Sequence, residues 1–241
     1  MTWGTFGAVH ILSLLASAAI IAILYALLKN KPQKTQIAVL GVLSFAGIAA
    51  IIFNLFAWNS PLEYLPLHLC SLAAIVLPFA VFTRSRTLNN LLLLWGLGAL
   101  MALVINHAQA HFEVFSWTFF FYYIPHTLEF GVVVLMFLLR LVRADARCIP
   151  STVGITAAAY TLAHLCNVWI NGYCEAHNIL DSAGEVLQVN YMFSIVPENP
   201  ALQLIFTRPY WYMFGILPVI LLYLCLVYNR QLRRRLKNRR K

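Results

Sequence analysis

Charge is scarce in this 241-residue sequence. Only 10% of its residues are Asp, Glu, Lys or Arg, against about 25% in an ordinary soluble domain, and 61% are apolar against about 45–50%. That balance excludes a water-soluble globule, and the mean hydropathy of +0.77 agrees. The five cysteines (70, 148, 166, 174 and 225) include no CxxC pair and are odd in number, which excludes a zinc knuckle or a disulfide framework. No lysine lies inside an apolar run, so a retinal Schiff base cannot form. Acidic rings, a carbonyl-filter pattern and inverted repeats are all missing, which argues against a channel and a secondary transporter. No second domain is visible, and neither a metal nor a cofactor is expected. A bis-histidine haem would need histidines in matched layers on facing helices, and only one layer exists.

What is present is a series of apolar runs of membrane-spanning length, about 20 residues each. Seven transmembrane helices are predicted, near 6–28, 36–57, 65–82, 88–105, 119–142, 152–172 and 209–228. The expected fold class is therefore all-α, a polytopic membrane protein built as one bundle over residues 1–241. The net charge of +9 comes from 17 basic and 8 acidic residues, and eight of the basic ones fall between Arg230 and Lys241. This placement points to a cytoplasmic tail at 229–241 that meets anionic lipid headgroups rather than to nucleic acid. Because basic loops stay inside, the N-terminus is expected outside, with Arg208 the single basic residue on the outer side. The connection at about 173–208 is long for a plain loop and carries a short apolar run, 189–197, and so reads as a re-entrant or interfacial outer cap. Its Tyr191 and Phe193 should pack down rather than stand in solvent, since removing a large side chain from water is worth roughly 1.5–3 kcal/mol.

Ionisable groups inside spans are costly, which makes them functional candidates. In this chain they gather near the predicted outer ends: His10, His68 and Cys70, His107, His126 and Glu129, then His164, Asn167 and Asn171. The inner halves carry almost nothing polar. At ~100° per residue, Tyr160, His164, Asn167 and Asn171 form one helical stripe, and His126 and Glu129 share a face. Cys70 follows a predicted helix N-terminus, where free N–H groups favour a thiolate, and a thiolate with an imidazole base is the minimal covalent acyl-transfer pair. The alternatives at each position are plain: a buried small hydrophobe for Cys70, interhelical hydrogen bonding for His126, and helix-to-helix glue for His164 and the asparagines.

The segment Leu65-Pro66-Leu67-His68-Leu69-Cys70-Ser71, with His126, Asn190-Tyr191-Met192-Phe193, Pro197 and Pro209-Tyr210-Trp211-Tyr212, resembles the YwaF-like integral membrane proteins of bacteria and the similar eukaryotic transmembrane protein 164 acyltransferases. The resemblance runs from about span two to span seven. It implies acyl transfer on glycerophospholipid esters in the cell membrane, with Cys70 as nucleophile and His126 as base. Glu129, one turn along from His126, is the candidate to hold the imidazole by its other N–H. His68, His107, His164, Asn167, Asn171 and Tyr191 are the candidate substrate contacts. The alternative is a non-catalytic lipid or small-molecule binder, or a transporter, that uses the same outer cavity.

Overall fold

A computed structural model describes the chain except residues 59, 107–108, 182–183, 198–202, 204–207 and 240–241, and the side chains of 212–214, 216 and 234–239. Among the described residues the protein is helical, with two isolated β-bridges and no strand. The helices are α1 (Ala8–Leu28), α2 (Gln33–Leu43), α3 (Ala46–Ala57), α4 (Leu69–Thr83), α5 (Arg86–Val104), α6 (Trp117–Leu138), α7 (Ile149–His177) and α8 (Tyr212–Arg239). Among the described residues, five segments are long and apolar enough to cross a membrane: Ala8–Leu28, Gln33–Ala57, Arg86–Val104, Trp117–Leu138 and Ala146–His177. The second is α2 and α3 in series, broken where the Ser44 hydroxyl turns back to the Gly41 carbonyl at 2.6 Å. Leu69–Thr83 is apolar but shorter.

Helix ends differ from the periodicity-based expectation where backbone chemistry intervenes. The run expected to reach residue 142 stops at Leu138, because Arg140 takes a left-handed φ of 57° and the chain folds back, with the Leu141 N–H donating to the Met136 carbonyl at 3.0 Å. The connection expected from about residue 173 starts later, since α7 continues to His177 and ends at Asn178, whose φ of 49° makes a left-handed C-cap. Cys174, expected in that loop, is instead a buried residue of α7. Ser85 and Ser116 cap α5 and α6 by accepting from Leu88 and Phe119 N–H groups.

The chain divides into two compact units. The first comprises Met1–Phe53 and Leu69–Ala144. In it α4, α5 and α6 pack on one another, α1 lies on α6, and α2 lies on α4 and α6. Trp3 plugs one end, buried against Leu103, Phe119 and Tyr123. Met1, Trp3 and Gly4 pair by main-chain hydrogen bonds with Val114, Phe112 and Ala110. His10 belongs to this plug: its Nδ1 accepts from the Phe6 N–H at 2.9 Å and its Nε2–H donates to the Leu103 carbonyl at 2.8 Å, so both nitrogens are satisfied. The opposite end of α5 is not free of polar groups, contrary to expectation. Asn89 and Asn90 are buried there and donate to the carbonyls of Ala80 and Arg143.

The second unit comprises Asn54–His68 and Asp145–Lys241. Here α7 supports the outer connection and α8 packs on the short 3₁₀ turn Ala146–Cys148.

Candidate functional site

Cys70 is the second residue of α4, in the first unit, and is partly exposed. Its thiol lies within hydrogen-bond reach of the Ser71 hydroxyl and of the backbone N–H groups of Cys70 and Ser71. These donors are free because the first turn of a helix has no upstream carbonyls to bond.

His126 lies on α6 directly after Pro125. Proline lacks an N–H, so the turn it enters is loosened. The imidazole folds back along its own helix, with Nδ1 2.7 Å from the Tyr122 carbonyl and the two rings 4.3 Å apart. A carbonyl oxygen only accepts, so Nδ1 carries the proton and Nε2 holds the lone pair that a base needs. The orienting partner is thus Tyr122 and not, as expected from spacing, Glu129. An i−4 carbonyl on the same helix reaches the ring without a second side chain having to turn toward it.

Glu129 is buried, and its Oε2 has no hydrogen-bond partner. Both the His126 imidazole and the Cys70 thiol act electrostatically on its carboxyl, which puts the three groups in one neighbourhood of the first unit. An unpaired polar atom in a protein interior costs about 1–3 kcal/mol, and such atoms call for a reason beyond packing. Gly47 on α3 makes room for it: a Cβ there would overlap the Glu129 carboxylate and the Ala74 side chain. Gly47→Val should therefore destabilise the protein by about 1–3 kcal/mol, seen as a lower thermal midpoint in detergent. Gly154→Val, at a glycine with nothing within 4 Å, should leave the midpoint nearly unchanged.

The remaining candidates lie in the second unit, where the described geometry gives them a different task. Asn167 is buried. Its Oδ1 accepts from the Tyr191 N–H at 2.9 Å, and its Nδ2 donates to the Tyr191 carbonyl at 2.9 Å and to Ser194 Oγ at 2.8 Å. Asn171 makes the same two-pronged bond to Val189, at 2.7 and 3.0 Å. His164 Nδ1 meets Ser194 Oγ at 3.1 Å. Ser194 Oγ thus joins Asn167 and His164, accepting from the amide of the first and sharing one proton with the ring nitrogen of the second. His68 Nδ1 accepts from the Met192 N–H at 3.4 Å, and its ring packs on Tyr191 and Phe193. That lone pair is engaged, which removes His68 as a rival base.

The α7 stripe therefore faces the later loop: Asn167 and Asn171 bond its main chain, His164 meets the Ser194 hydroxyl, and His68 accepts from the Met192 N–H. Tyr191 belongs to the same cluster: it is 1% exposed and its hydroxyl donates to the Leu62 carbonyl. Burial pushes that phenol up to about 12, which keeps it a donor. The physical reason is common to all five. Buried irregular backbone has no ladder of its own, so side chains must complete it. His107 lies outside the described residues.

The expectation that Tyr191 and Phe193 pack down holds: Tyr191 and Met192 are buried and Phe193 is half-buried. Met192 and Phe193 both adopt left-handed φ, near 50° and 54°, a conformation that costs non-glycine residues of order 1–3 kcal/mol each and that the clamps offset. The stripe was legible as a polar face, read as glue or substrate contact; its role as a clamp on loop main chain was not. Among the described residues no three His, Cys, Asp or Glu side chains group to hold a metal ion.

Residues 5–228 match the model of the TMEM164 family. No curated protein and no solved structure matches the chain.

Proposed function

The chain belongs to the TMEM164 family, and from that premise we propose that it is a membrane-embedded acyltransferase acting on glycerophospholipid esters through Cys70 and His126. The observation that carries the reading is the grouping of Cys70, His126 and the unpaired Glu129 carboxyl in one unit, with the imidazole held as the Nδ1–H tautomer. His126 Nε2 takes the thiol proton as the sulfur attacks the ester carbonyl carbon. The C–O bond to glycerol breaks, and the departing oxygen receives that proton from the imidazolium. An acyl-thioester on Cys70 remains. An acceptor hydroxyl then gives its proton to Nε2, attacks the thioester carbon and releases the thiolate, which recovers the proton. With water as acceptor the same cycle is a lipase. Glu129, beside both groups, offsets the positive charge on the imidazolium. His126 Nδ1 bonds the Tyr122 carbonyl at rest, and in this reading a side-chain rotation brings Nε2 and the thiol together, as catalytic hydrogen bonds often tighten only with substrate.

In the same reading the chain crosses the cell membrane seven times. Together α2 and α3 make one broken span, α4 is lengthened by the segment before it, and α8 is the last span. The N-terminus faces outward and the basic C-terminus lies in the cytoplasm against anionic headgroups. The asymmetric placement of Lys and Arg supports this orientation.

Incubating the purified chain with phospholipid carrying an isotope-labelled acyl group should add that acyl mass to the Cys70 peptide, as an adduct released by hydroxylamine. A chain that only bound lipid would give no adduct. Acyl transfer that proceeds with Cys70 never labelled would reject the mechanism.

A further inference from the structure

Within the first unit, α1, α5 and α6 enclose an elongated cavity of about 490 Å³. Gly131 sets its geometry on one side: a Cβ there would meet Ile21 Cγ1 at 2.8 Å, so α1 lies tight against α6. On the other side the outer part of α5, through Leu100 and Val104, stands off from α1. Along α1 the lining runs from Leu14 to Tyr25, which is about 16 Å at ~1.5 Å rise per residue. Phe130 and Leu138 follow it along α6. The cavity is thus a groove parallel to the helix axes, and small residues at Ala18 and Ala22 hollow its wall.

The chemistry of the wall selects the occupant. Ser17 and Thr127 are the only hydroxyl residues in the lining besides Tyr25. Thr127 Oγ1 donates to Ser17 Oγ at 2.8 Å, Ser17 to the Tyr123 hydroxyl at 2.8 Å, and Tyr123 to the Ser13 carbonyl at 2.7 Å. This direction is forced, because a carbonyl can only accept and each hydroxyl has one proton. Ser17 and Thr127 therefore have no donor left for a ligand, and the rest of the wall is hydrocarbon apart from the Tyr25 hydroxyl. Size then separates two apolar occupants. A whole helix, about 10 Å across, is wider than a groove hollowed only at Ala18 and Ala22. A polymethylene chain, about 4–5 Å across at carbon contact distances, needs roughly 200–320 Å³ over the same length.

We propose that this groove is a binding site for one hydrocarbon chain of a membrane lipid, lying along α1 between α5 and α6. The site is defined by α1, α5 and α6 and does not depend on chemistry at Cys70. It places a lipid tail inside the unit that carries the thiol and the imidazole.

The test is photolabelling of the full chain, reconstituted in phosphatidylcholine vesicles, with a phosphatidylcholine bearing a diazirine at mid-chain. Label should concentrate on the groove residues of α1 over Leu12 and Ile23, which are 64% and 58% exposed on the opposite face of the same helix. Ala22→Trp, whose indole fills the groove, should lower groove labelling at least about tenfold while labelling of Leu12 persists. Ala18→Phe gives a second, smaller filling in case the indole disturbs the helix. Leu12→Trp should change nothing in the groove. Equal labelling of both faces, or groove labelling unchanged in both filled variants, overturns the site. Cys70→Ser should leave the labelling intact, so failure of the thiol mechanism and failure of this site read out separately.

Discussion

Cys70→Ser and His126→Ala should each abolish acyl exchange between phospholipid species in proteoliposomes, while the thermal midpoint and membrane insertion of both variants should stay within error of the parent chain. A positioned base contributes about 10²–10⁴-fold, so the His126 variant should fall by at least that factor. The Cys70 variant should fall further, because a serine hydroxyl at neutral pH is a far poorer nucleophile than a thiol with a base beside it. Combining the two should cost little beyond the worse single change, since residues acting as a unit are not additive. Glu129→Gln keeps the side-chain shape and removes the carboxylate next to the imidazolium. Its loss should therefore appear in the transfer rate and not in substrate retention. Full transfer by either the Cys70 or the His126 variant would reject the mechanism.

The second large effect is on stability. Asn167→Ala should destabilise the protein by roughly 3–6 kcal/mol, because it strips partners from the Tyr191 N–H, the Tyr191 carbonyl and Ser194 at ~1–3 kcal/mol each in a fully buried setting. The lost clamp also leaves the left-handed residues Met192 and Phe193 without the bonds that hold them there. Asn171→Ala removes a similar pair of bonds at a half-buried position, where water can replace part of what is lost, so its effect should be smaller. Thermal unfolding in detergent, with limited proteolysis between Asn178 and Tyr210, measures both. An unchanged midpoint and an unchanged digestion pattern for Asn167→Ala would show that the loop holds itself.

Much of this was open to reading from residue order. The apolar runs marked the helices because a span must be long and uncharged, and the ends that moved did so at Arg140, where left-handed backbone stops α6 short of its apolar run, and at Asn178, to which α7 continues past the end of its apolar run. The stripe at Tyr160, His164, Asn167 and Asn171 was visible as a stripe, since helical geometry fixes which residues share a face. Its partner could not be read, because nothing in the spacing says whether a polar stripe faces a ligand, another helix or 24 residues of later chain folded back upon it. Likewise Pro125 advertised a loosened turn beside His126, yet only the tertiary structure shows that the ring turns to Tyr122 and that Glu129 Oε2 has no hydrogen-bond partner.

The sequence by itself determined that this chain is an apolar, helical membrane protein of the TMEM164 family, and which few polar residues break its apolar runs. These are properties of composition and of period along one strand of chain, and no contact is needed to express them. Tertiary structure alone decided what each polar residue does, and that a groove for a hydrocarbon chain exists at all. Both depend on which faces of distant helices meet, and a buried donor or a missing Cβ acquires its meaning only from the atom across the gap.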